Sequence, residues 1–583
     1  MSNEYLELLK IWCDRLISLQ ITEHQEPELY GGILCPACAG VHGRCADAIY
    51  PMMSLYRQTG DEKYRSCAKA LFDWMDVNMS RPDGSFVNDT NSPWRAITVF
   101  TTIQLGEALL YHGELLDPPT RRKWTARLDR AAAFIAWYIP VSGANVNYPI
   151  TCSAALAIAA KVTGKAAYQQ QAYEMAHRAL GYITEDGLIY GEGRPPEQVT
   201  EKGCRPVDLG YNVEESLPGL VTYALISGDD SVLDEVKRSM MAHLSFMLPD
   251  GGWDNSWGNR NNKWTYWGSR TSDGCQIGYG RLARAMPVFG EAAQRNFELY
   301  RRCTRDGLLQ GGPMYGDAME PSCVHHTFCH AKALASMVDE GFQPPMPRLP
   351  LPRETAQGVQ FFPTARVWLL AKGEYRMTLS DHDVDYVTCG HAKGGALTLL
   401  WHPRTGPVCA ASMTEYQLVE PTNMQLPQYY EDICQTPRIS FTEKGTVYQS
   451  INDVSAKVRV TDGSTITAEA EGILRDGHQG GDRPFRVRYA LSEEGLELIL
   501  AAAAPGAVFT LPVIAAREDA VSVSGGKAFI QRKGGCIQVE ADAPIRINDQ
   551  VSGRTFNPVG GFQTVQLEIP LEQAETCVVL RIN

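Results

Sequence analysis

The sequence predicts an α+β multidomain protein, an N-terminal (α/α)6 toroid followed by a C-terminal antiparallel β-sandwich. Three observations predict it. A helix-hairpin unit recurs at near-constant spacing in the first half. A proline-rich segment then interrupts the chain, and beyond it period-two alternation replaces helical periodicity.

The repeat is carried by glycines. Gly60 precedes Asp83-Gly84 by 23 residues, Gly164 precedes Asp186-Gly187 by 22, and Gly228 precedes Asp250-Gly251 by 22. An apolar, alanine-rich segment runs up to each glycine and a segment with one polar face follows it. Apolar periodicity between the breaks predicts helices near 4–19, 45–58, 62–78, 95–112, 118–138, 149–162, 166–183, 214–227, 231–247, 273–288, 290–304 and 324–340. Bends are expected near Gly60, Gly113, Gly164, Gly228 and Gly290. Six such hairpins close a ring, with the more apolar helices inside and the amphipathic ones outside. The toroid is assigned 1–342. Gln343–Pro352 holds five prolines in ten residues, which excludes helix and central strand, so 343–363 is read as a linker. Alternating runs then mark a sandwich over 364–583, among them 365–372, 375–380, 395–401, 457–460, 465–471, 485–491, 496–502, 529–532, 536–540 and 565–569.

Composition bounds the function. The chain has 583 residues, 44% hydrophobic and 21% charged, with a net charge of −13. That balance, without a basic run, excludes nucleic-acid and membrane partners, although local positive charge can still gather an anionic substrate. No apolar stretch is long enough to span a bilayer. The first residues carry acids where a secretion signal carries bases, so a cytoplasmic location is expected. The sixteen cysteines are scattered and read mostly as small core residues. No cofactor is called for, and homo-oligomerisation stays open.

Candidate chemistry clusters in the loops. Trp253, Trp257, Trp264, Trp267, Tyr266 and Arg270 fall within 18 residues together with Asp254, a pattern that suits stacking on sugar rings and bonding their hydroxyls. The alternative is that these aromatics plug the toroid mouth or pack on the β domain. Glu192 lies between Gly191 and Gly193, Asp208 follows, and Glu214 and Glu215 open an inner helix, where only one of the adjacent pair can face the cavity. Glycosidic hydrolysis needs one protonated and one ionised carboxyl, and this set could supply them. His326 and His330 share a helical face, which suits a proton shuttle better than a metal. Cys35, Cys38, His42 and Cys45 can be drawn as a zinc knuckle, but no second Cys-x-x-Cys exists and Arg44 would adjoin the metal. The favoured reading instead points His42, Arg44 and Asp47 into the cavity, with Arg44 or Arg270 gripping a carboxylate. Asp89 and Asn147 are further substrate-binding candidates. His382, Asp383, Asp385, His391 and His402 form a minor metal possibility in the β region.

A twelve-helix toroid, a proline-rich linker and a β-sandwich together resemble the heparinase II/III-like carbohydrate enzymes, which include polysaccharide lyases and β-glucuronidase-like glycoside hydrolases. The resemblance covers nearly the whole chain as architecture and only part of the motifs. It implies either of two mechanisms. A lyase would use an Asn–His–Tyr set, for which Asn145, Asn147, Tyr148, Tyr266 and His326 are the candidates. A hydrolase would use a pair among Glu192, Asp208, Glu214 and Glu215. The richness in carboxylates favours an exo-acting, uronate-directed hydrolase, with a lyase as the alternative and a non-catalytic carbohydrate-binding protein as the second alternative.

Overall fold

The computed structural model describes residues 4–23, 28–193, 199–419, 434–548 and 553–583. Six helical segments form an inner ring: Ile49–Thr59, Thr98–His112, Asn147–Thr163, Leu217–Ser227, the short Gln276–Tyr279 and Val324–Asp339. Each packs on the next, and Val324–Asp339 returns to Ile49–Thr59, so the ring closes. Glu4–Ser18, Glu62–Asn78, Pro118–Tyr138, Ala166–Ala179, Asp230–Leu244 and Pro287–Arg302 surround it. Sequence dictates the layering. Thr98–His112 is buried on nearly every side, whereas Glu62–Asn78 buries only the stripe Tyr64, Cys67, Ala68, Leu71, Phe72, Trp74 and Met75.

The repeated glycines act at two places. Gly60, Gly164 and Gly228 cap inner helices in the left-handed conformation, with φ of 70, 72 and 76°. The Asp-Gly pairs make the turns after outer helices, each closed by a bridge: Ser80 to Phe86, Ile183 to Ile189 and Met247 to Trp253. A Cβ on Gly84, Gly187 or Gly251 would lie 2.5 Å from the Arg130 carbonyl oxygen, 2.5 Å from Ala242 Cβ or 2.3 Å from the Arg295 carbonyl oxygen. All three contacts are to the following outer helix. The repeat therefore stitches one outer helix to its neighbour, and only glycine fits the seam. The connection after Pro118–Tyr138 lacks this contact, since Gly143 meets nothing within 4 Å among the described residues.

Three expectations need correction. Gly290 lies inside Pro287–Arg302, and the break comes at Pro287, whose missing N–H costs nothing in a first turn. At Gly113 the chain does break, through a short 3-10 turn between His112 and Pro118. The helix expected over 273–288 shrinks to Gln276–Tyr279, in a stretch that holds Gly274, Gly278 and Gly280. The helix expected from 214 begins at Leu209 and passes through a π-helical turn, Asn212–Ser216, before Leu217–Ser227.

Inside 343–363, expected as a linker, Pro352–Thr355 forms a helical turn and Gly358–Phe362 an edge strand. That strand begins a five-stranded antiparallel meander with Val367–Lys372, Tyr375–Ser380, Ala396–His402 and Gly406–Ala410. The meander has two buried faces. Val367 and Leu369 join the toroid core, while Trp368 and Leu370 join the core of the six- and eight-stranded sheets beyond. Alternation along one strand thus glues the two halves of the protein together. The six-stranded sheet pairs Val508–Ile514 with Phe562–Pro570, and the eight-stranded sheet runs through Ile466–Leu474, Arg483–Ser492 and Gly495–Ala502.

Candidate active site

A cavity of about 400 Å³ opens where the Asp-Gly stitch is missing. Its wall includes Asn88, Gly143, Ala144, Asn145, Asn147 and Tyr148 from one side and Tyr211, Glu215, Arg260, Lys263 and His325 from others. Tyr386 closes it from the β domain, in the loop between Tyr375–Ser380 and Ala396–His402. Arg44, Arg260 and Lys263 make the wall basic although the chain is acidic, an arrangement that focuses an anionic ligand.

The adjacent acids Glu214 and Glu215 diverge. Glu215 lines the cavity and accepts a 2.6 Å bond from Asn147 Nδ2. Burial and the nearby Asp273 charge raise its carboxyl well above the usual range, against the opposing Arg44, which favours its protonated form. Glu214 faces the other way. It accepts bonds from Ser269 N (2.8 Å), the Ser272 hydroxyl and Tyr300 OH (3.5 Å), with His330 Nε2 3.6 Å away. The π-helical turn brings both into one buried segment, and such turns recur at functional sites.

The other expected acids serve the cavity from behind. Glu192 is fully buried, accepts from Arg260 Nη1 (2.8 Å) and from Asn147 N (3.0 Å), and so sets two wall residues. Asp208 caps the turn beginning at Leu209, accepting from Tyr211 N (3.1 Å), Asn255 Nδ2 (3.0 Å) and Arg260 N (3.2 Å). Burial raises both carboxyls. Tyr211 is thereby fixed. Its hydroxyl pairs with Thr271 Oγ1 at 2.8 Å, and the Arg260 guanidinium lies 4.0 Å from its ring centre.

Arg44 reaches the wall already engaged. It donates to Asp47 Oδ2 (2.7 Å), Asp273 Oδ1 (3.0 Å) and the Thr271 carbonyl (2.7 Å), and Lys332 shares both acids. Asp47 therefore belongs to an ion-pair network rather than to a free ligand set. Asp89 accepts from Gly43 N (3.1 Å) and Asn88 Nδ2 (2.8 Å), holding the wall rather than lining it. His325 presents a different chemistry. Among the described residues both its nitrogens lack a hydrogen-bond partner, and burial, reinforced by His42 and Arg44, lowers its pKa well below the usual value. Its ring stacks on Phe328 at 4.9 Å between centres.

Several candidates lie elsewhere. His326 is on the neighbouring face of the same helix, edge-on to Trp267, where burial pushes it down to about 3. Tyr266 donates to both oxygens of Asp250 (2.9 and 3.0 Å) and meets Phe562, and burial raises its hydroxyl far above the usual value. Trp253 and Trp267 are fully buried, Trp267 donating to the Gln310 carbonyl at 2.9 Å. Arg270 is spent on the Asn262 carbonyl (2.5 Å) and Tyr315 OH (3.4 Å). Asp254 accepts from Arg353 Nη1 (2.7 Å) and the Thr378 hydroxyl, joining toroid to meander. The aromatic loop is thus mortar between the two halves, for Gly560 N also bonds the Trp264 carbonyl at 3.0 Å. His42 stands 3.5 Å from Cys323 Sγ, outside the cavity wall.

Of the histidine and acid group in the β region, only His382 and His391 meet, at 3.1 Å. Asp383 accepts from Thr200, Asp385 from Lys393, and His402 stands near Glu374. Tyr211, Arg260, Lys263, His325 and Tyr386 are among the wall residues that the sequence-based site assignment omits, while Glu215 entered it only as one of an adjacent pair. A signal existed for Tyr211, since it stands four residues before Glu215 at the start of an inner helix.

Residues 9–354 match the family described as the ulvan lyase N-terminal domain, and residues 359–583 the ulvan lyase C-terminal domain. A broad-specificity ulvan lyase from Formosa agariphila is 39% identical over 583 residues, spanning 97% of this chain and 91% of that protein. Among solved structures, heparinase III superposes with a TM-score of 0.57 at 12% identity, covering 100% of this chain and 85% of its own. The chondroitin AC lyase of Streptomyces coelicolor A3 gives 0.53 at 13% identity, covering 100% and 80%. These two likenesses show the fold alone. The family matches overturn the hydrolase expectation. The cavity agrees, because Glu215 is the sole carboxylate among the described residues of its wall and a hydrolase needs two that face each other.

Proposed function

This chain belongs to the ulvan lyase family, and from that premise we propose that it cleaves a uronate-containing polysaccharide of the ulvan type by β-elimination. The observation that carries the reading is the Glu215–Asn147 pair, bonded at 2.6 Å in a cavity wall that also holds Arg44, Arg260 and Lys263. A uronate carboxylate must lose its charge before the hydrogen on the adjacent carbon becomes acidic. The protonated Glu215 carboxyl and the Asn147 amide donate to that carboxylate and to the enolate that forms from it. Arg260 and Lys263 draw the anionic chain in.

Two groups then move protons. His325, whose nitrogens have no hydrogen-bond partner among the described residues, accepts the C5 proton. Electrons shift into a C4–C5 double bond, the C4–O bond breaks, and the Tyr211 hydroxyl returns a proton to the leaving oxygen. Water is not consumed. Asp208, Thr271 and Arg260 hold Tyr211 in place, and Glu192 holds Arg260 and the backbone of Asn147.

The purified protein incubated with ulvan is expected to generate the ultraviolet absorbance of unsaturated uronate at the same rate as new chain ends. New ends appearing without that absorbance would sink the proposal.

A further inference from the structure

Three thiols and one imidazole converge beside the cavity. Leu34–Cys35 and Gly40–Val41 form a small antiparallel hairpin whose turn carries Cys38, and His42 follows it. The fourth group comes from far along the chain. Cys323 is the residue before Val324–Asp339, and its sulfur lies 3.6 Å from Cys35 Sγ, 3.8 Å from Cys38 Sγ and 3.5 Å from His42 Nε2. All four donor atoms lie within 4.8 Å of one another.

These are the edges of a metal tetrahedron. With zinc–sulfur bonds of about 2.3 Å and zinc–nitrogen bonds of about 2.0–2.1 Å, tetrahedral edges are about 3.8 Å between sulfurs and about 3.5 Å from sulfur to nitrogen. A disulfide would need about 2.05 Å, so the sulfurs are grouped but not bonded. Cys35, Cys323 and His42 are buried and Cys38 sits at the rim. Ala39, just after Cys38, holds φ 51°, a left-handed conformation that a non-glycine residue keeps only where its surroundings enforce it.

From this geometry we infer that Cys35, Cys38, His42 and Cys323 form a structural zinc site. Cys45, the fourth ligand that sequence spacing suggests, is instead a buried core residue. Arg44 does not oppose the metal, because its guanidinium turns toward Asp47, Asp273 and the Thr271 carbonyl. With all four positions filled by protein, the ion has no open place for substrate. Its role is mechanical. It clamps the segment bearing Arg44 and Asp47 to the helix bearing His325 and Lys332, and so fixes one side of the cavity.

The test uses the full-length protein. Stoichiometric zinc should survive gel filtration, and a mercurial that titrates thiols should release it to a chromogenic chelator. Replacing zinc with cobalt(II) should produce thiolate-to-cobalt charge transfer together with the intense visible bands of a tetrahedral site. Cys323→Ser should lose the zinc and weaken the charge-transfer band, whereas Cys45→Ser should keep both. The cobalt spectrum of the unmutated protein stands even if Cys323→Ser folds poorly. The inference is overturned by any of three results. Zinc-loaded protein could emerge from gel filtration empty, a Cys35–Cys323 disulfide could be mapped, or Cys323→Ser could keep its zinc with an unchanged cobalt spectrum.

Discussion

Tyr211→Phe is expected to lower kcat on ulvan by about 10²–10⁴-fold, the usual worth of a positioned acid–base group. The hydroxyl is the only atom removed, and Thr271 Oγ1 loses a 2.8 Å partner, which costs about 1 kcal/mol of stability. The fold should survive, so the loss reads on chemistry. KM should change little, because the ring still lies under the Arg260 guanidinium. Steady-state kinetics with a melting curve on the same preparation checks this. A variant with more than half the parent kcat would remove Tyr211 from the reaction.

Glu215→Ala should cost about 10²–10³-fold in kcat, comparable to losing one oxyanion donor, and it also strands Asn147 Nδ2 in a buried site. Glu215→Gln separates charge from hydrogen bonding. Glutamine is neutral at every pH and still offers a donor, so it should retain far more activity than alanine. The pH profile gives a second readout. The Glu215 carboxyl is held above its usual range mainly by burial, and its protonated form is the active one. Activity in the parent should therefore fall as pH rises through that value. The glutamine variant should lack that limb. If Glu215→Gln were as inactive as alanine while the parent needed the ionised form, the carboxyl would be acting as a base and the proposed role would be wrong.

Much of the architecture was legible because it follows from periodicity. The helices at 62–78 and 118–138 and the strand at 375–380 have the expected bounds, since each is a clean amphipathic or apolar run between strong breaks. The failures have local causes. A glycine-rich stretch reduced one inner helix to Gln276–Tyr279, and Pro287 rather than Gly290 set the last outer helix. The strands Gly406–Ala410 and Val508–Ile514 were missed. They are buried along almost their whole length and so show no alternation.

The site was less legible. Arg44 and Asn147 reach the cavity wall, but the tryptophan loop does not, because aromatic density marks a buried seam as readily as a sugar platform. Which of Glu214 and Glu215 faces inward was not marked in the sequence, because a π-helical turn sets the register there. His325 and His326 pose the same problem. His326 and His330 share one face, which packs on Trp267, while His325 lines the cavity. Neither face is marked in the sequence. Tyr386 comes from the other half of the chain, and no spacing argument reaches it.

The central claim is that bond cleavage here adds no water. The direct measurement is mass spectrometry of ulvan fragments produced in ¹⁸O-enriched water. The account predicts new non-reducing ends that are unsaturated, lack one water relative to hydrolysis products and carry no ¹⁸O from the cleavage step. Saturated fragments that have taken up ¹⁸O at the cleavage site would contradict it.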